Sequence, residues 1–296
     1  MHNLSKKKVC ILTGCTSGLG LNILLQLINK DMFIYGVSNN KNKIKALKKK
    51  LLNENYSIKK IFIYKVDISN FTQVKNFVSK VKSKHKKIDI LINNAGINGP
   101  MGKFENTNLK IWRKAFNVNF FGSLYFYKNI LPIMKENKYG RIVQISGGGA
   151  TSPFPMFSSY ASSKAAIVSL SENLSKEINK KENITINSIA PGTLNTNFTK
   201  IKLKAGPSKI GKVHYNFLKK ITKTGGDNFS DPVELCLQLI DEKNKINGKI
   251  ISAKWDNWKK FLYFEKEINS CEIFTNRRLT GEKKKFKRLP NLQRRM

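Results

Sequence analysis

A glycine cluster, Thr13-Gly14-Cys15-Thr16-Ser17-Gly18-Leu19-Gly20, stands where a short apolar, β-branched run gives way to a segment of helical periodicity. A strand that leaves through such a turn into a helix returns by a crossover, and the next strand then lies parallel to the first. The alternation continues along the chain. Apolar strand-like runs occupy 9–13, 33–37, 61–66, 88–93, 141–146, 184–190 and 249–252. Helical periodicity fills 19–29, 41–53, 73–85, 109–137, 160–181 and 232–241. In the last of these, Asp231 is placed to cap, Pro232 to open the first turn and Glu234 to complete a capping box. The expected fold is therefore α/β: a doubly wound, parallel, seven-stranded Rossmann sheet in one catalytic domain over 1–256. An aromatic and then basic extension follows over 257–296, in which Trp258, Phe261 and Phe264, like Trp255 and Tyr263, are expected to pack onto the domain.

The net charge of +36 would alone suggest nucleic acid. Lysine, however, is spread over nearly every helix with abundant Asn and Ile, and no aromatic stacking platform is interleaved with it, so no specific nucleic-acid partner is expected. Two stretches exceed the background: 183–226, which has many lysines and no Asp or Glu, and the basic tail 277–295. Cys10, Cys15, Cys236 and Cys271 lack metal-ligand spacing among themselves and with the three histidines, which points to reduced thiols, no metal and a cytoplasmic protein. No run approaches the roughly 20 apolar residues that span a bilayer. The stretch 120–134 is apolar on more than one face. It reads either as deep burial or as an isologous interface of a homodimer or homotetramer, with the interface preferred.

At the first turn, Gly14 permits the bend, Gly18 lets a pyrophosphate approach the backbone and Gly20 allows close helix packing. Further motifs follow in order: Val66-Asp67, Asn93-Asn94-Ala95-Gly96, Val118-Asn119-Phe120-Phe121-Gly122, Tyr160-Ala161-Ser162-Ser163-Lys164 and Pro191-Gly192-Thr193-Leu194-Asn195-Thr196. Together they resemble the short-chain dehydrogenase/reductase family over roughly residues 8–255. The resemblance implies a nicotinamide cofactor held by Thr13, Gly14, Ser17, Gly18, Leu19, Gly20, Ser38, Asn39, Asp67, Ile68, Asn94, Ala95, Gly96, Tyr160, Lys164, Pro191, Gly192, Leu194 and Thr196. The second strand ends in Ser38-Asn39-Asn40-Lys41-Asn42-Lys43 with no carboxylate to accept from ribose hydroxyls, which favours NADP. NAD stays open, because Lys41 and Lys43 read equally well as solvated helix residues.

Tyr160 and Lys164, four apart, share one helix face. The implied activity is hydride transfer between the cofactor and a small carbonyl or hydroxyl substrate. In it Tyr160 moves the proton, Lys164 holds the ribose and favours the phenolate, and Asn119 positions a water for proton relay. One position departs from the family pattern: Gly147 stands where its catalytic serine is expected, thirteen before the tyrosine. Ser146 is the first candidate to replace it, with Ser152 and backbone N–H groups of the glycine loop as the others; the alternative is a silent NADP-binding scaffold or sensor. A substrate lid is expected over 197–224, an unpatterned loop whose lysines favour an anion. The Gly-Gly-Gly loop and the carboxyl end resemble a subgroup associated with bacterial surface-polysaccharide genes, which implies a sugar-linked substrate.

Overall fold

A computed structural model describes residues 7–54, 56 and 58–277. The expected tail beyond residue 277 lies outside the described residues. Seven strands form one parallel sheet in the order β3-β2-β1-β4-β5-β6-β7: β1 Lys8–Thr13, β2 Met32–Ser38, β3 Ile61–Lys65, β4 Ile90–Asn93, β5 Gly140–Ile145, β6 Ile184–Ala190 and β7 Ile250–Ser252. Both faces are covered, so the strands read as continuous apolar runs whose alternate residues enter different cores. Cys10, Leu12 and Ile34 face one core, together with Ile23 and Leu27 of α1 (Gly18–Ile28), Leu47 of α2 (Lys41–Asn53) and Leu239 of a late helix. Val9, Ile11 and Tyr35 face the other, with Val78 of α3 (Phe71–His85) and the buried stripe of a long central helix.

That central helix is divided. α4 (Leu109–Phe116) passes through a π-helical turn, Asn117–Phe121, into α5 (Gly122–Glu136), and the Gly122 N–H donates back to Asn117 O. Within α5, Phe126, Tyr127, Ile130, Ile133 and Met134 are buried in the monomer, while Phe121 is partly exposed. Helix α6 (Ser158–Glu177) stops before the expected 181 because Ile178 is extended and Asn179 begins a turn closed by the Glu182 carboxylate. The lid is not an unpatterned loop. It is three helices, α7 (Asn197–Ala205), α8 (Pro207–Ile210) and α9 (Lys212–Thr224), separated by Gly206 and Gly211 at φ +80° and +81°. Its ends are held together by a Leu194–Gly226 bridge.

α10 (Ser230–Ile240) begins two residues before the expected start. Asp231 and Pro232 lie inside its first turn, no side chain caps it from position 229, and the Asn228 side chain accepts from Ser230 N–H instead of the expected Asp231–Glu234 box. Pro232 is accommodated because amides of a first helical turn need no intrahelical acceptor. Beyond β7, Trp258, Phe261 and Phe264 join the first core, and α11 (Glu265–Ser270) follows them. Trp255 and Tyr263, expected to pack likewise, are 61% and 83% exposed because they fall on the outer side of this turn.

Arg141, at 0% exposure, ties β5 to the end of α10 without a carboxylate. Its guanidinium donates to the carbonyls of Gly140, Asn183, Asp241 and Glu242. Arg141→Met keeps the bulk but strands these acceptors, so it should cost about 3 kcal/mol. A thermal melt should fall by about 6–12 °C, and an unchanged midpoint would contradict this role.

Candidate functional site

The sheet order places β1 beside β4, and the crossovers from these two strands leave toward opposite faces. A crevice therefore opens beyond their carboxyl ends. A cavity of about 620 Å³ occupies it. At its base, Thr13 Oγ1 accepts from the N–H groups of Asn94 and Ala95 at 2.9 Å, and Asn94 Nδ2 donates to the carbonyls of Thr13 and Gly14. The turn after β1 is thereby fixed to the turn after β4. Gly14 adopts φ +66°, and a Cβ on Gly20 would stand 2.2 Å from Gly14 O, so a side chain at position 20 would force the helix away. Ser17 precedes α1 in an extended conformation, and no side chain caps the first amides of the helix. Gly18 and Leu19, which carry those amides, line the cavity, so an anion could be received there.

Of the residues singled out from sequence, the cavity wall contains Gly14, Ser17, Gly18, Leu19, Ser38, Asn39, Asp67, Ile68, Asn94, Ala95, Gly96, Ser146, Tyr160, Lys164, Pro191, Gly192, Leu194 and Thr196. Thr13 and Gly20 lie behind it and shape the turn. Asn119 is also behind it: its Oδ1 accepts from Ile97 N–H, and its Nδ2 donates to Ile97 O and Ser163 Oγ. The side chain holds the β4 turn to α6 and does not form part of the cavity wall. At the end of β2 the wall carries Ser38, Asn39, Asn40 and Lys43, without a carboxylate. Ser38 Oγ stands 3.2 Å from Thr16 Oγ1, which joins the two turns. The Asp67 carboxylate accepts from both the N–H and the hydroxyl of Ser69, which fixes the loop after β3.

Tyr160 and Lys164 project from one face of α6 into the same cavity. Tyr160 is 6% exposed, and burial pushes its phenol above the ordinary tyrosine range. Lys164 Nζ donates to Ile145 O at 2.8 Å and lies 5.8 Å from the Tyr160 ring centre; burial pushes its ammonium down to about 8. The expected stabilisation of a phenolate by this lysine is thus outweighed in the chain itself, where desolvation disfavours both charged forms.

Gly147 has a steric reason. A Cβ there would meet Tyr160 Oη at 2.1 Å, so the tyrosine hydroxyl lies where a serine side chain would begin. Ser146, one residue past β5, is buried against the cavity with its Oγ lacking any hydrogen-bond partner among the described residues. Ser152 is exposed and forms no part of the cavity wall.

The expected lid residues do reach the far end of the cavity, but their aromatic lining was not foreseen. There Phe154, Phe198, Lys202, His214, Phe217 and Leu218 close over Tyr160. Phe157, Tyr160, Ile210 and Leu218 form a small third core beneath the lid. Of the eight lid lysines, only Lys202 enters this wall; Lys200, Lys204, Lys209, Lys212, Lys219, Lys220 and Lys223 are exposed. Lys202 is 9% exposed, and burial pushes its ammonium down to about 8. The Asn98 side chain donates to Phe198 O and ties the lid to the β4 loop. The helical register of α7 is the only signal that could have marked Lys202, and the lysines on every side of it mask that register.

The sequence pattern of the short chain dehydrogenase family matches residues 8–205. A benzil reductase ((S)-benzoin forming) of Saccharomyces cerevisiae is 30% identical over 209 residues, covering 68% of this chain and 77% of its own. An uncharacterised oxidoreductase of the same yeast is 30% identical over 252 residues, 83% of this chain and 95% of that one. Among solved structures, ElxO with NADP bound is similar at a TM-score of 0.72 and 26% identity, over 83% of this chain and 97% of the other.

Lys202 should register in stability. A lysine whose folded pKa is lowered binds fewer protons folded than unfolded, so its cost is full below about 8 and is relieved as pH rises toward about 10.4. Lys202→Met should therefore be more stable than wild type by about 3 kcal/mol at neutral pH. Paired melts of the two proteins without ligand should show this margin narrowing between about pH 8 and pH 10. A margin independent of pH would contradict the burial of a charged Lys202.

Proposed function

Since the chain belongs to the short-chain dehydrogenase family, we propose that it is an oxidoreductase that uses NADP to reduce the carbonyl group of a small molecule. The observation that carries the reading is the convergence of Tyr160 and Lys164 on one cavity with the glycine turn after β1. The acid-free end of β2, with Ser38, Asn39 and Lys43 on the cavity, supports NADP over NAD because a 2′-phosphate would meet donors and a cation. ElxO, the solved relative named above, holds NADP, and the yeast relative is named as a reductase of benzil. An anionic substrate is supported by the acid-free stretch 183–226. The aromatic lining of the far end supports an apolar body in place of a sugar-linked one.

When bound, the nicotinamide supplies the hydride. In this reading the glycine turn and the first amides of α1 receive the pyrophosphate, and Asp67 and Ile68 border the adenine. Lys164 holds the ribose hydroxyls, with its position already set by Ile145 O. Tyr160 Oη gives its proton to the carbonyl oxygen as negative charge develops there, and burial, which disfavours the phenolate, makes the neutral phenol the resting form. Ser146 Oγ, which has no hydrogen-bond partner among the described residues, donates to the same oxygen in place of the family's serine. Pro191, Gly192, Leu194 and Thr196 close the wall between this centre and the lid.

We further place the protein in the cytoplasm, on its free cysteines, as a homodimer or homotetramer. No described helix is long and apolar enough to cross a membrane. Leu109 and Ile111 of α4, and Phe121 just after it, expose apolar surface that a second copy would cover. Ile111→Asp should convert the sedimenting species to a monomer, and a wild type that is already monomeric removes the interface.

Tyr160→Phe should lower NADPH-dependent carbonyl reduction by about 10²-fold to 10⁴-fold while NADPH binding stays near normal. Ser146→Ala should lose about 10²-fold to 10³-fold, and Ser152→Ala, at an exposed position, should stay near wild type. A wild type that binds NADPH yet reduces nothing across a broad carbonyl screen would replace the enzyme with a cofactor-binding scaffold.

A further inference from the structure

We propose that Lys202 determines specificity at the substrate end of the cavity by binding the carboxylate of a carbonyl substrate whose body is apolar. The inference rests on reading this cavity as a reductase site. Lys202 Nζ lies 5.1 Å from the ring centre of Phe198, 5.2 Å from Phe157, 5.3 Å from Phe154 and 5.5 Å from Tyr160. Four aromatic faces around one ammonium return part of the hydration lost on burial, yet they supply no opposite charge. No hydrogen bond or ion pair satisfies this nitrogen among the described residues, and no carboxylate contributes to its electrostatics. The surrounding chain, 183–226, holds no acid that could reach it. A buried cation without a counter-ion, on the wall of a ligand-sized cavity, is matched by an anion that enters with the ligand.

His214 narrows the choice of anion. Its ring packs edge-on against Phe154 and Phe157, two of the rings that flank Lys202. Its Nε2 is buried and has no hydrogen-bond partner among the described residues. Desolvation and the Lys202 charge push the imidazole down to about 4, so at neutral pH it is an uncharged hydrogen-bonding group, and with its proton on Nε2 it donates. The pair therefore offers one positive charge and one neutral N–H. That suits the two oxygens of a singly charged carboxylate. A phosphate, with nearly two charges and three oxygens, would call for a second cation or a run of backbone amides, and the other seven lid lysines are exposed on the outside. The same rings, with Phe217 and Leu218, leave the remaining wall apolar, which fits a hydrocarbon or aromatic body between the carboxylate and the carbonyl near Tyr160.

Titration calorimetry on the full-length protein loaded with NADP⁺ reads binding without turnover, using 4-acetylbenzoate, whose ring stands between carboxylate and carbonyl, and its methyl ester as probes. Wild type should bind the acid at least about 10-fold more tightly than the ester. Lys202→Met, which keeps the bulk within the rings, should bring the two within about 3-fold by weakening the acid alone. Unchanged ester binding separates loss of the charge from loss of packing. The proposal is overturned if wild type shows no preference for the acid, if it binds neither probe, or if Lys202→Met keeps the preference. NADP⁺ binding is measured first on both proteins: its absence would overturn the dinucleotide reading, and the probe titrations on the protein alone would still decide the role of Lys202.

Discussion

The pairing of β1 with β4 creates the site. Register Cys10↔Ile90, Ile11↔Leu91, Leu12↔Ile92 brings the two strand ends level, and the turns beyond them then have to diverge toward opposite layers. Divergence alone would leave a mobile cleft. Thr13 and Asn94 prevent that by exchanging hydrogen bonds between the two turns, and Asn119 adds a third turn by holding Ile97 on both sides of its peptide. Asn119 can do this because the π-helical turn Asn117–Phe121 brings it inward, where its amide also reaches Ser163 on α6. That contact, with Lys164 on Ile145 O and Ser159 on Trp112 O, registers the helix carrying Tyr160 and Lys164 against the strand ends. The placement of the chemistry is therefore a property of buried amides, well before any ligand is considered.

Two ammonium groups inside one cavity set its character. Lys164 is anchored by Ile145 O, a fixed neutral acceptor, whereas Lys202 has only ring faces around it. The first arrangement holds a cation at a defined point, which suits positioning. The second leaves the charge uncompensated, which raises the energy of the protein alone and lowers that of any complex that brings a counter-charge. This is how a site can favour an anion without a cluster of surface lysines. It also explains why the net charge of +36 carries so little functional information: most lysines lie at the surface, and of the three buried ones among the described residues only Lys164 and Lys202 line the cavity, while Lys249 donates to Cys271 O and Ile273 O.

Much of the fold was legible in the sequence because parallel strands covered on both faces are short, continuous apolar runs, and all seven were found within two residues of their observed limits. The dinucleotide side of the site was legible for a related reason: it is made largely by backbone turns, and turns demand particular residues such as Gly14, Gly18 and Asn94. Failures came where side chains, not backbone geometry, decide. The lid lost its helical pattern among lysines that fall on every face, so three helices looked like a loop and Lys202 looked like its neighbours. The start of α10 was misplaced because the helix already begins at Ser230, whose N–H is accepted by Asn228, outside the apparent motif. Trp255 and Trp258, three apart, share a sequence character but lie on opposite sides of one turn.

Gly147 shows how a departure from a pattern can be structural complementarity. Viewed as sequence, the glycine reads as a lost functional group. In the folded chain the Tyr160 hydroxyl has moved into the space that a side chain there would take, and Gly149 is similarly pressed by Ala161, at 2.6 Å from where its Cβ would stand. The β5 loop thus lies closer to α6 than a chain with side chains at these positions would allow. Closer approach brings the backbone at Gly147 against the tyrosine hydroxyl while keeping the Lys164 contact to Ile145 O at 2.8 Å. A serine at 147 would need the tyrosine ring to retreat from this position. The absence of that serine and the depth of Tyr160 are consequently one feature, and neither could be altered without the other.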